Sequence, residues 1–303
     1  MTAAAITAEK QPIPVLSLVA LALLIVVWGL SIPVTKLGLV DFPPMTLTAL
    51  RYLSAAPFFV WFAMRAPRPP VRALLAMAGI GVVGIGVGQV TQAVGVNLTA
   101  ASVATVIGAT IPILVVLLAA LRLGQRIRAV HVLGLFVAIG GVGVIATGGR
   151  LSTLAEAGGA LLGDTLMLVS AISVALYYVL STELAARYGV LTVASWGSLF
   201  GTAALLPFAA WELASTPLAM PSAQGVASVL YLGVFVTVAG VVVWLNLMRN
   251  LPARIAAGSQ YMQPLVGIIA SAWLFGDTLG PVFLAGAALV LAGIALTAWS
   301  PRR

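Results

Sequence analysis

Apolar residues run in blocks of about twenty, broken by short stretches rich in Pro, Gly or charge, and ten such blocks can be marked along the chain. They cover roughly 15–38, 43–64, 72–95, 99–121, 128–148, 160–183, 190–211, 225–248, 252–275 and 280–299. A bilayer core of about 30 Å needs about twenty helical residues, so each block has the length of a membrane crossing. The strict alternation of a membrane-spanning strand is absent. The punctuation is sharp: Phe42-Pro43-Pro44, Pro67 to Pro70, Gly148-Gly149, Pro221, Leu251-Pro252 and Gly280-Pro281. The pattern predicts an all-α integral membrane protein of ten transmembrane helices.

The pattern is also written twice. AASVATVIGATIPILVVLLAALRLGQRI, from Ala100, is matched by PARIAAGSQYMQPLVGIIASAWLFGDTL, from Pro252, at an offset of 152 residues. The same offset pairs Pro112 with Pro264, Gly124 with Gly276, Gly81 with Gly233, Gly88 with Gly240, Gly134 with Gly286 and Gly141 with Gly293. A proline pair in register with five glycine pairs indicates an internal duplication, with residues 1–149 as one repeat and 150–303 as the other. Five helices per repeat is an odd number, so the second copy must enter the membrane inverted. That arrangement places a substrate site near the midplane between the repeats.

Composition narrows the reading. Of the 303 residues 62% are hydrophobic and 7% charged, against roughly 25% charge in a soluble domain. The formal charge of +8 does not indicate nucleic acid, because of where it falls. With the N-terminus in the cytoplasm, 12 of the 15 basic residues lie in inside segments, among them Arg65, Arg68, Arg72, Arg122, Arg126, Arg128 and Arg187. Asp41, Glu156, Glu212 and Asp277 lie outside. This predicts a plasma (inner) membrane protein with both termini cytoplasmic. Cysteine is absent, which excludes disulfides and thiolate chemistry.

Several strings resemble the drug/metabolite transporter superfamily, in particular its EamA-type exporters. They are WGLSIPVTK (Trp28 to Lys36), Leu50-Arg51-Tyr52, and the two Ala-rich helices with a central Pro and a terminal Leu-Gly-acid. The family's acid after that Gly is Gln125 in the first copy. The resemblance implies export through a central cavity walled by helices 1, 3, 4, 6, 8 and 9, and the chain is similar to the aromatic amino-acid exporters.

Candidate site residues follow from polarity in apolar surroundings. Lys36 and Arg51 are the two cations inside spans, where a charge is costly. They can form a positive outer vestibule for a carboxylate, or merely snorkel or cap backbone carbonyls opened by Pro33. Helix 9 carries Ser259, Gln260, Tyr261 and Gln263 just before Pro264. Helix 3 adds Gln89 and Gln92 on one face, and helix 6 adds Ser170, Ser173 and Tyr177. Interhelical hydrogen bonding is the ordinary use of such groups; lining a cavity is the functional one. Trp28, Trp196 and Trp244 lie away from span ends and can stack on an aromatic ligand or fill space. Pro112 and Pro264 each remove a backbone donor near mid-helix and are candidate hinges. GIGVVG, Gly79 to Gly84, matches a dinucleotide fingerprint literally, but it lies inside an apolar helix and reads as close packing. His131 reads as structural.

No acid lies at the middle of any span, and no nucleotide motif, metal cluster or catalytic triad is present. The expectation is a secondary carrier, not an enzyme, without cofactor or metal. It exports small amphipathic metabolites, most naturally amino acids, by alternating access and without obligatory ion coupling. A multidrug or lipid-linked substrate is the alternative, and an intramembrane enzyme or scaffold a remote one.

Overall fold

The computed structural model describes residues 15–122, 129–146, 158–216, 218–251 and 262–298. All regular structure among them is helical. Among the described residues seven helices are long and apolar enough to cross a membrane: α1 (Val15–Gly38), α2 (Pro44–Arg65), α3 (Val71–Leu98), α4 (Ala101–Arg122), α6 (Gly158–Tyr188), α7 (Val190–Ser215) and α8 (Ala223–Met248). Three more are apolar but shorter: α5 (Ala129–Ala146), α9 (Met262–Phe275) and α10 (Pro281–Ala298). Apolar outer faces across the bundle, such as Phe136, Phe208, Ile269 and Trp273, are exposed and suited to lipid.

The breaks lie where the sequence places its punctuation. Pro44 opens α2 at a position where the missing N–H costs nothing, and Gly276, at φ 68°, closes α9. α1 pauses at Leu30, three residues before Pro33. α4 divides into Ala101–Gly108 and Ile111–Arg122, the break falling just ahead of Pro112. Two further irregularities are π-helical. α3 contains one at Val82–Val87 and α8 one at Tyr231–Ala239, and regular helix resumes at Gly88 and Gly240. Those glycines are one of the pairs related by the 152-residue offset.

α2 packs on α7, α4 on α9, α5 on α10, α3 on α6 and α1 on α8, while α3 also packs on α7 and α4 on α6. Glycine sets the closest approaches. A Cβ on Gly141 would strike the Gly286 carbonyl, and one on Gly293 would meet the backbone of Gly134 and Ala138. α1, α4 and α9 meet where Gly29 faces Val266 and Gly267 faces Thr105. Of the literal dinucleotide motif, Gly81 lies against Gly197 of α7 and Gly84 against the Tyr177 ring. Packing is thus the use of both, while Gly79 faces open space.

One end of the bundle is tied by charged side chains at helix termini. Glu212, at the end of α7, accepts hydrogen bonds from Met45 N (3.2 Å), Thr46 N (2.7 Å) and Thr46 Oγ1 (2.8 Å) at the start of α2. Asp41 accepts from Ser222 N (3.0 Å) and Oγ (2.6 Å), and Ser222 itself caps α8 through Gly225 N. Asp277 accepts from Ser102 N at 2.9 Å. Acids at the positive ends of helix dipoles are the favoured arrangement. The opposite end carries Arg65, Arg68, Arg72, Arg122 and Arg187.

Candidate functional site

Arg51 is the centre from which the site is built. It projects from the second turn of α2, half-buried, and its guanidinium joins three helices. Nε donates to Thr237 Oγ1 of α8 at 3.1 Å, and one terminal nitrogen donates to Gln89 Oε1 of α3 at 2.9 Å. Both partners sit at the π-helical irregularities. Thr237 lies within the α8 segment and donates its own proton to Leu232 O, five residues back (2.8 Å), which leaves an oxygen lone pair for Arg51. Gln89 is the second residue after the α3 segment. A π turn shifts the side-chain register and loosens the backbone ladder, which is why such turns recur at functional sites. Close contact of α2 with α8 depends on Gly233, where a Cβ would strike Ser54 and the Arg51 carbonyl.

Among the described residues no carboxylate pairs with Arg51. A half-buried cation with two neutral partners keeps N–H groups available for an anion. Tyr52 lies beneath the guanidinium, 5.3 Å from ring centroid to charge, and is buried. Tyr177 of α6 packs its ring against Gly84 of α3, five residues before Gln89, and Tyr178 lies beside it at 5.8 Å between ring centroids. Arg51, Gln89 and Tyr177 therefore share one neighbourhood. Gln92, one turn beyond Gln89, is half-buried and makes no hydrogen bond among the described residues.

The tryptophans divide into two groups. Trp28 spends its indole N–H on Val236 O at 3.0 Å and packs on Trp244 at 5.6 Å between ring centroids. Gly240 leaves the room that this indole occupies. Tyr231 adds a hydrogen bond to Val27 O at 2.9 Å, so these rings lock α1 to α8. Trp196 belongs to a separate cluster with Tyr177, Met77 and Val193, where α3, α6 and α7 meet. Its ring stacks on Phe200 at 5.7 Å. The Trp196 Nε1 donor and the Ser170 and Ser195 hydroxyls are buried without a partner among the described residues.

Lys36 is occupied. Its ammonium donates to Val96 O (2.6 Å), Asn97 O (3.0 Å) and Thr99 O (2.8 Å), the carbonyls that end α3. This is capping, but of α3 and not of carbonyls opened by Pro33. Thr99 Oγ1 continues the chain to the buried Asp164 at 2.7 Å. Asp41 lies outside the spans, and hydrogen bonds from the Ser222 hydroxyl and amide hold its carboxyl below the usual range.

Pro112 denies Gly108 O its usual donor. Thr110 spans the resulting gap, donating through both N (3.0 Å) and Oγ1 (2.7 Å) to Ile107 O. Pro264 is buried in the first described turn of α9 and Gln263, beside it, has interactions of its own. Gln260 and Tyr261 lie outside the described residues, as does Ser259, and the His131 side chain is likewise not described. Among the described residues there is no group of three or more metal-ligating side chains. Thr237, Tyr52 and Tyr178 were not singled out from sequence. The available signal for Thr237 was a lone polar residue between the paired glycines Gly233 and Gly240.

A family model described as the EamA-like transporter family matches the chain twice, over residues 15–147 and 161–299. The inner membrane transporter YedA of Escherichia coli K12, itself called uncharacterized, is 27% identical over 283 residues, covering 92% of this chain and 89% of that protein. A probable terminal-alkyne amino-acid exporter of Streptantibioticus cattleyicolor is 31% identical over 286 residues, covering 91% of each chain. A probable amino-acid metabolite efflux pump of Salmonella typhimurium is 29% identical over 285 residues, covering 90% of this chain and 91% of its own. A crystal structure that is 19% identical shares the fold at a TM-score of 0.61, covering 92% of this chain and 94% of its own.

Proposed function

The chain belongs to the EamA-like transporter family of the drug/metabolite transporter superfamily, and on that premise we propose that it is an inner-membrane secondary carrier exporting amino acids with apolar or aromatic side chains. The observation that carries the substrate class is Arg51, a half-buried cation with neutral partners and no carboxylate among the described residues. Burying a charge is tolerated where an opposite charge visits it. A substrate carboxylate at Arg51 supplies that charge. Tyr52 lies under the guanidinium, and Tyr177 belongs to the cluster in which Trp196 brings an N–H unpaired among the described residues and a ring face. Two relatives named for amino-acid export support the same class.

The transport cycle we propose is alternating access between two inverted five-helix repeats, residues 1–149 and 150–303, with α5, α9 and α10 crossing as well and both termini cytoplasmic. Four observations support it. The family model matches once in each half. The last residues of the π segments, and the glycines Gly88 and Gly240 that follow them, sit at the same offset. Exchanging each helix for the one five places away turns the α3–α6 contact into the α8–α1 contact, and leaves α2–α7, α4–α9 and α5–α10 unchanged. The arginines gather at one end and the loop acids at the other.

Counterflow into proteoliposomes, one amino acid at a time, tests the substrate class. Exchange of aromatic or branched amino acids is the expected result. Inertness to all amino acids, with transport of a drug or a lipid-linked compound, overturns it.

A further inference from the structure

At the arginine-bearing end, α3 begins beside the last turn of α6, and an open cleft of about 460 Å³ lies between them. Its lining combines Arg72, Arg187 and Tyr188 with the apolar Val71, Ala76 and Leu184. Neither arginine has an ion-pair or hydrogen-bond partner among the described residues. The nearest helical acid to Arg187 is Glu183, one turn back, and that carboxylate is taken by Arg122 of α4 at 3.2 Å. The first turn of α3 adds to the positive field. Pro70 supplies no side-chain cap, and its carbonyl takes the amides of Ala73 and Leu74, leaving those of Val71 and Arg72 unclaimed among the described residues.

The level of the cleft follows from the end of α2, six residues before α3 begins. Trp61, near the end of α2, carries the Arg65 guanidinium 4.2 Å from its ring centroid, and half of its surface is exposed. A tryptophan paired with a cation at a helix end is an interfacial anchor. α3 starts six residues after Arg65 ends α2, so the cleft opens at headgroup level. Its ligand must then be anionic against the arginines and apolar against Val71 and Leu184.

We propose that this cleft is a binding site for an anionic glycerophospholipid. The phosphodiester lies between Arg72 and Arg187, and an acyl chain runs along Val71 and Leu184. The bound lipid links α3, which carries Gln89, to α6, which carries Tyr177. The site does not depend on the transport reading, because binding and stability are its readouts.

The purified full-length chain is placed in nanodiscs of phosphatidylcholine alone or with phosphatidylglycerol. Thermal midpoint by tryptophan fluorescence and lipid retention by native mass spectrometry are measured. Phosphatidylglycerol is expected to raise the midpoint and to be retained. Near a membrane surface each arginine contributes about fivefold in affinity, so Arg72→Gln with Arg187→Gln should cut retention about thirtyfold. The charge-keeping pair Arg72→Lys and Arg187→Lys should retain most of it, which separates lost charge from lost folding. Arg65→Gln with Arg68→Gln, at the same end but outside the cleft, should retain it too. Equal loss in that control shows non-specific surface attraction and overturns the site. Unchanged retention in the glutamine pair overturns it as well. If inorganic phosphate or glycerol phosphate reproduces the midpoint shift at matched ionic strength, the cleft takes a free anion and the lipid assignment falls.

Discussion

At the residue scale, Arg51 was legible from sequence because it is a charge in an apolar run, and Gln89 because an amide there is costly. That the two touch was not legible. Arg51 and Gln89 are 38 positions apart, and Thr237 is 186 positions from Arg51. Only the packing of α2 on α8, at Gly233, brings the last pair together. Lys36 shows the opposite outcome: a cation with the same sequence signature is consumed by three carbonyls at the end of α3. Arg51→Gln tests the difference. A charge-assisted hydrogen bond contributes about 1.5–3 kcal/mol, so a carboxylate substrate should bind roughly ten- to a hundredfold more weakly, while its carboxamide analogue changes little. Counterflow with each of the two compounds reads the comparison, and equal losses for both would remove Arg51 from the carboxylate. Trp28→Phe is a structural counterpart. It keeps a ring against Trp244 but removes the donor to Val236 O, and should lower stability by about 1 kcal/mol. Thermal unfolding in detergent provides that number.

At the element scale, nearly every helix was legible as an apolar block bounded by Pro or Gly. The π segments were not, because Val82–Val87 and Tyr231–Ala239 have the same apolar composition as the helix around them. Nor was the use of the loop acids, which the sequence shows only as outside charges. Asp41 illustrates the use. It holds the Ser222 amide and hydroxyl at the start of α8, and its folded pKa lies below its ordinary value. The sign follows from linkage: the stability contributed is present above the unfolded pKa and is lost as pH falls through the folded one. From about pH 4 downward, the thermal midpoint of the wild-type chain should therefore fall more steeply than that of Asp41→Asn, which has no charge to lose. Identical slopes would mean that α8 does not feel this cap. The two prolines belong to the same scale. Pro112 divides α4, with Thr110 completing the turn beside it, and Pro264 lies near the crossing of α1, α4 and α9. Replacing both by Ala should leave the protein folded and inserted but slow exchange. Unchanged rates would assign the prolines to packing alone.

At the scale of the whole molecule, the open question is what drives transport. Coupling to protons or sodium ordinarily needs a carboxylate where desolvation makes its occupancy matter. The acids read from sequence as lying outside are, among the described residues, committed to helix starts. Glu212, Asp41 and Asp277 each bind the start of a helix, and in each case the carboxylate and the helix belong to opposite halves of the chain. Asp164 is the exception that must be weighed, since it is buried and reaches the Lys36 network through Thr99. A conformational change that separated the halves at this end would break all of these contacts together, so they serve a gate more naturally than a cation site. The cation lodged deeper in the bundle, Arg51, repels a driving cation and attracts a carboxylate, by about 1 kcal/mol at 4 Å in water and several-fold more where solvent is excluded. Transport is therefore expected to run down the substrate gradient in either direction. Uptake into proteoliposomes, sodium-free and at equal pH on both sides, should stop at equilibrium and stay there when a proton or a sodium gradient is imposed. Accumulation beyond equilibrium would falsify this, and its loss in Asp164→Asn would identify the coupling group. Persistence of that accumulation in Asp164→Asn would point instead to the interfacial caps, with their making and breaking as the step that carries the ion.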